Sequence, residues 1–213
     1  MAERWTFGVE PLAQTRDVAA ALRRVTDLVL AAEGEEPAVA QLLDDLARAE
    51  RALAAKVPSD RTPRVGSEAD GAGRAYVDHA RDVGAFNPAF PEYTIAVDGN
   101  AATGNVTFPN VYEGPPGSVH GGFLAVLFDC VVQHHNCDVG VAGKTTSLTL
   151  RFRRPTPLLT PLTFVIDRRP DGDRIRSTAR LFHGDSLLCE AEVDALAGNR
   201  ANLPAVSPRR SAR

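Results

Sequence analysis

From residue 93 onward, apolar and polar positions alternate. Tyr93, Ile95 and Val97 are spaced by polar residues, and Gly99-Asn100 follows as a turn, so a first hairpin starts here. Further on come four more strand-like stretches. Leu148, Leu150 and Phe152 alternate with Thr149, Arg151 and Arg153. Leu162, Phe164 and Ile166 follow. Ile175, Ser177, Ala179 and Leu181 alternate with Arg174, Arg176, Thr178 and Arg180. Cys189, Ala191 and Val193 alternate with Glu190, Glu192 and Asp194. With Asp171-Gly172 and Gly184-Asp185 as turns, the four read as an antiparallel meander with one apolar face.

Between the first hairpin and the meander lies EGPPGSVHGGFLAVLFDCVV, residues 113–132. Two prolines and a glycine set a tight turn. An almost unbroken apolar run then predicts a helix buried on most sides. One apolar helix and one antiparallel sheet predict an α+β domain, with the sheet wrapped around the helix. Gly121 and Gly122 open the helix and leave backbone N–H groups at its positive end. Asp129 is the single charge in the run. A carboxylate there is costly unless neighbouring hydroxyls satisfy it or it is used in chemistry, and its setting favours use.

The N-terminal part carries the helical period instead. Val18, Leu22, Val25, Val29 and Ala32 form one stripe, and Val39, Leu42, Leu46, Leu53 and Val57 another. Pro37 suits a first helical turn. Residues 1–57 are therefore expected to form a helical hairpin packed on the main domain, serving as a lid, a dimer contact or a cap. Residues 58–92 are expected as a linker plus an extended segment, FNPAFPEY at 86–93, laid over the domain. Residues 93–199 form the main domain and 200–213 a disordered tail.

Composition narrows the function classes. The chain has 213 residues, 44% apolar and 24% charged, which suits a globular protein with a real core. Net charge is −3, and residues 1–57 carry more acids than bases, which argues against a helical DNA reader. No apolar stretch approaches the ~18 residues of a membrane span, and the first residues lack a secretory pattern. Three cysteines without framework spacing fit a cytoplasmic location. Adjacent His134 and His135 with Cys137 and Asp138 lack zinc spacing, so no metal is expected and a capping or surface role is assigned to them. Residues 143–180 hold nine basic residues against three acids. Arg151 and Arg153 share one strand face and Arg174 and Arg176 another, a pattern suited to phosphate.

His120-Gly121-Gly122, Asp129 nine residues after the histidine, Thr145 sixteen further on, and the strand ending RFRRPTP together resemble the acyl-CoA thioesterases of the hotdog superfamily. The branch is the one holding the phenylacetyl-CoA and mitochondrial long-chain acyl-CoA thioesterases. The resemblance spans residues 93–197 and implies a hotdog fold and hydrolysis of acyl-CoA to free acid and coenzyme A, needing no cofactor beyond the coenzyme A of the substrate. It implies sites at the interface of a homodimer or dimer of dimers. Nine helical residues rise roughly 13 Å, so His120 and Asp129 of one chain cannot meet on one substrate, whereas antiparallel helices across a two-fold axis can bring Asp129 to the partner's Gly121. Gly121, with Gly122, would polarise the thioester carbonyl. Asp129 would act as base or nucleophile, Thr145 would hold the water or the carboxylate, and His120 would orient the loop or thioester. Arg151, Arg153, Arg174 and Arg176 would contact the coenzyme. Some relatives carry Asn where this chain has Gly114, which leaves base and nucleophile both open. A hotdog hydratase or dehydratase, or a non-enzymatic acyl-CoA sensor or scaffold, are the competing expectations.

Overall fold

The computed structural model describes residues 11–59, 63–64, 74–75, 81–139 and 143–197. Three α-helices, α1 (Ala13–Leu30), α2 (Pro37–Ala54) and α3 (Gly121–Asp138), and one six-stranded sheet dominate these residues. The strands are β1 (Tyr93–Asp98), β2 (Ala101–Val106), β3 (Gly143–Phe152), β4 (Leu162–Asp171), β5 (Arg174–His183) and β6 (Ser186–Ala197). Their spatial order is β1-β2-β4-β5-β6-β3, antiparallel throughout. A separate parallel bridge joins Pro63–Arg64 to Arg74–Ala75. Most of the linker expected after residue 57 and the whole tail from 200 lie outside the described residues.

The sheet wraps around α3, the hotdog arrangement. Leu124, Leu127, Phe128, Val131 and Val132 of the helix are buried against Phe164, Ile166, Ala179, Leu181, Ala191 and Val193. Each large apolar side chain so buried contributes about 1.5–3 kcal/mol. The helix is therefore held by the sheet, and whatever it carries at its ends is fixed in place.

Two expectations about the strands need correcting. The meander holds only from β4 to β6, where Gly172 and Gly184, both at positive φ, make the turns. β3 does not join β4. It crosses to the far edge and pairs with β6, Arg151 opposite Glu190 and Leu148 opposite Val193. The reason lies in residues 153–161, which hold three prolines and no tight-turn pair. The segment 86–93 is also compact rather than extended. Asn87 Oδ1 accepts from the Ala89 N–H at 3.1 Å, and Phe90 N–H returns to Asn87 O, an Asx turn that starts just ahead of Pro88. β3 further contains a bulge, since Thr145 opposes Ala195 while Ser147 opposes Asp194, leaving Thr146 as the extra residue.

The N-terminal helices form as expected, but not the burial of their stripes. Val18, Leu22 and Val29 are exposed, and α2 buries no residue. α1 is attached through its other face, by Ala19 and Arg23. Arg23 is 5% exposed. Its Nη2 donates to the carbonyls of Gly84, Asn87 and Phe90 at 2.7, 3.3 and 3.2 Å, and its Nη1 lies 2.8 Å from Glu92. One turn on, Asp27 Oδ1 accepts the Asn110 N–H at 2.5 Å. Charge-assisted bonds to backbone carbonyls, not apolar area, fasten this helix.

The C-terminal half of α3 is pinned by polar groups. Buried Arg168 donates from Nε to Asn136 Oδ1 at 2.9 Å and from Nη1 to Asn100 Oδ1 at 3.1 Å. His135 Nε2 donates to Gly99 O at 2.9 Å, and the Tyr93 hydroxyl lies 3.1 Å from His134 Nδ1. Both histidines are buried, not on the surface, because the first hairpin folds over the helix end. Burial pushes both below 6.5, and for His134 nearby Asp138 only partly opposes this.

Two outcomes follow. Arg23→Met should destabilise the protein by roughly 2 kcal/mol through lost charge-assisted hydrogen bonds, seen as a lower denaturant midpoint, with α1 becoming the first site of limited proteolysis. Because His134 and His135 resist protonation when folded, stability should be full above pH 6.5 and fall as the pH drops below it, where the unfolded chain binds protons first. Denaturant midpoints at pH 7.5 and 5 check this, and His134→Phe should reduce the difference.

Candidate active site

The turn before α3 is built by its own residues. Glu113 Oε1 accepts the Gly117 N–H at 2.7 Å, Gly117 has φ +72°, and Ser118 N–H returns to Pro115 O. This places His120 as the N-cap of α3. His120 Nδ1 accepts the Gly122 N–H at 3.0 Å, so the neutral ring carries its proton on Nε2, at the exposed edge. Gly122 is thus not the second carbonyl-binding donor expected for it: its amide is taken by the cap. The Gly121 N–H donates to no group among the described residues, and it sits at the positive end of an 18-residue helix. Position 114 is closed to a side chain. A Cβ there would lie 2.7 Å from His120 Cα, so the asparagine of some relatives could not fit without moving the cap.

Asp129 lies two and a half turns along. Thr145 Oγ1 donates to its Oδ1 at 2.6 Å, and Gln133 Nε2 donates to Thr145 Oγ1 at 2.7 Å. Among the described residues Asp129 has no cation partner, and its Oδ2 accepts no bond. It is half-buried, on the one stripe of α3 that the sheet leaves uncovered, with Ala125, Val126, Cys130 and Gln133 beside it. The bulge in β3 is what turns Thr145 inward to meet it. The structure therefore brings Asp129 and Thr145 together and leaves His120 and Gly121 at the far end of the same helix.

Two residues at this site carry no signal in the motif. Gln133 has the spacing to share Asp129's helix face, which was legible, but nothing in the sequence says that it reaches Thr145. Phe152 is 59% exposed although it points to the helix side of β3. A Cβ built on Gly121 would lie 3.0 Å from its ring, so this aromatic roofs the helix start. An exposed phenylalanine at a strand end was visible in the alternation; its neighbour was not.

The arginines are only partly available. β6 lies between β3 and β5, and its outward residues Glu190, Glu192 and Asp194 stand among the arginines. Arg153 Nε donates to Glu190 at 3.0 Å and its Nη2 also engages that carboxylate. Arg176 lies 3.6 Å from Asp194, and Arg180 donates to Asp167 at 3.2 Å. The local positive excess read along the sequence is thus partly offset across the sheet. Arg151 and Arg174 meet no carboxylate among the described residues, but six residues of β6 separate their partners, roughly 20 Å. One phosphate cannot take both. Among the described residues no three of His, Cys, Asp and Glu gather as a metal would require, and no helix is long and apolar enough to cross a membrane.

No family model matches the sequence, and no curated protein matches it. Solved structures do. A crystal structure of a thioesterase superfamily protein superimposes with a TM-score of 0.68 at 27% identity, covering 89% of this chain and 94% of that one. Residues 93–197 are about half the chain, so this likeness reaches into the N-terminal helices. A hypothetical thioesterase protein of Streptococcus pneumoniae, solved with coenzyme A, matches at 17% identity over 51% of this chain and 90% of that chain, TM-score 0.48. The PaaI protein of E. coli, from the phenylacetic acid degradation operon, matches at 20% over 49% and 82%, TM-score 0.46. The chain has the hotdog fold of thioesterase superfamily proteins.

Cys130 adjoins the site without joining it. Burial first, then neighbouring Asp129, pushes its thiol up to about 12, and burial pushes Cys189 to about 11. Both should stay protonated at pH 8, so alkylation by iodoacetamide, followed by peptide mass spectrometry, should be at least about 10²-fold slower at these two than in the unfolded chain, and slowest at Cys130.

Proposed function

We propose that this protein hydrolyses acyl-CoA thioesters to the free acid and coenzyme A. The observation that carries this reading is the Asp129 carboxylate: hydrogen-bonded on one oxygen by Thr145 and, among the described residues, uncommitted on the other and without a cation, on the uncovered stripe of a buried helix. The thioesterase superfamily neighbour at 27% identity supports the reaction class. A carboxylate so placed serves as a general base toward water or as a nucleophile toward the thioester carbonyl.

The carbonyl needs a donor, and Asp129's own helix start is roughly 12 Å away by helical rise. A two-fold dimer answers this. β3 is a ten-residue edge strand, with one side of its backbone unpaired among the described residues. Such an edge invites pairing with a second copy. Antiparallel pairing across it lays two α3 helices side by side in opposite directions, so Asp129 of each faces the other's Gly121. The partner's Gly121 N–H, reinforced by the helix dipole, would stabilise the oxyanion. The His120 Nε2–H would donate to the thioester from beside it. Phe152 would shield the carbonyl from bulk water. Of the arginines, Arg151 is the best placed for a coenzyme phosphate, since it is uncommitted and adjoins Phe152. The products leave as a carboxylate and a thiol, and no metal is required.

Asp129→Asn should lower kcat by roughly 10²–10⁴-fold, the usual contribution of a positioned base, while acyl-CoA binding and the oligomer measured by light scattering stay unchanged. The assay is thiol release from short, long and aromatic acyl-CoA esters. An unaltered rate in the variant overturns the mechanism. Hydration of an enoyl-CoA without thiol release, or tight binding without turnover, overturns the hydrolase reading itself.

A further inference from the structure

Gln133 lies one helical turn beyond Asp129, so the two side chains share a face. Its Nε2 donates to Thr145 Oγ1, and Thr145 donates to Asp129 Oδ1. A threonine hydroxyl has a single proton. With Gln133 as donor, that proton is directed to Asp129. The opposite amide orientation would place Gln133 Oε1 on the hydroxyl, take the proton, and turn a lone pair toward a carboxylate oxygen 2.6 Å away. The charge on Asp129 thus selects the amide orientation, and the amide selects the hydroxyl direction.

We infer that Gln133 is a positioning residue, which through Thr145 holds Oδ1 of Asp129 and leaves Oδ2 as the oxygen that works on the substrate. This deepens the hydrolase reading above and rests on it. The relay is linear, Gln133 to Thr145 to Asp129, and each link is one bond of normal length. Gln133 is half-buried on the uncovered stripe of α3, and among the described residues its amide finds its partner in Thr145. Without its donor, the Thr145 hydroxyl has other staggered directions to occupy and the carboxylate loses its fixed pose.

Gln133→Met keeps the side-chain length and removes the donor. It should lower kcat by about tenfold, the worth of one such hydrogen bond, with KM within about twofold. Gln133→Glu replaces the donor with an acceptor that competes for the Thr145 proton and adds a second carboxylate. It should lower kcat further and move the acidic limb of the kcat/KM profile upward in pH. Gln133→Met, which adds no charge, should also move that limb upward as the Thr145 bond to the carboxylate loosens, whereas loss of a glutamine that only packs would leave it in place. The deciding measurement is the double-mutant cycle: in a Thr145→Val background, Gln133→Met should cost no further activity. Additive losses, or an unmoved acidic limb, overturn the inference and leave the hydrolase reading standing. A wild-type chain that releases no thiol from any acyl-CoA ester removes both, so the wild-type assay separates the two failures. Circular dichroism and the melting transition check folding of each variant, with Gln133→Leu as substitute if Gln133→Met does not fold.

Discussion

A carboxylate placed halfway along an apolar helix constrains everything around it. Asp129 cannot be desolvated alone, and among the described residues no arginine or lysine neutralises it. What it receives is one hydroxyl, oriented by one amide. That is enough to hold a charge at a half-exposed position and too little to quench it. The rest of α3 is arranged to keep it there. The apolar stripe locks the helix into the sheet, while Arg168, Asn136 and His135 fix its C-terminal end to the first hairpin. The Asp129 carboxylate is therefore carried on a rigid element rather than on a loop.

The parts of this fold set by short-range rules were legible in the sequence. The buried helix, the one acid of its apolar run, the Gly99-Asn100 hairpin and the β4-to-β6 meander each follow from period or turn chemistry. The crossing of β3 to the far edge was not legible, because alternation gives a strand's faces and says nothing of its neighbour. That one omission misled the charge argument. Counting along residues 143–180 leaves out Glu190, Glu192 and Asp194, which the sheet order places between the arginines. Arg153 and Arg176 looked like phosphate ligands only while their partners were in another part of the text.

The N-terminal helices teach the reverse lesson. Their period was right and the inferred face was wrong, because a single arginine found three carbonyls and a carboxylate on the side away from the stripe. Polar attachment of this kind is invisible to a hydrophobic pattern. It leaves Val18, Leu22, Leu28 and Leu30 facing outward. In the site itself, Asp129 stood out as the one charge in an apolar run and Thr145 through the family resemblance, whereas Gln133 and Phe152 needed three dimensions.

The extra residue in β3 has a further implication. Counting by twos from inward-facing Leu148 would point Thr146 and Lys144 at the helix and Thr145 away from it. The insertion reverses that parity for the first few residues of the strand. A hydroxyl thus meets the acid by virtue of strand length, not merely of side-chain identity. Regular pairing of these same residues, without the bulge, would turn Thr146 and Lys144 toward the helix and Thr145 out to solvent. One inserted residue thus decides which side chains of the strand face the acid.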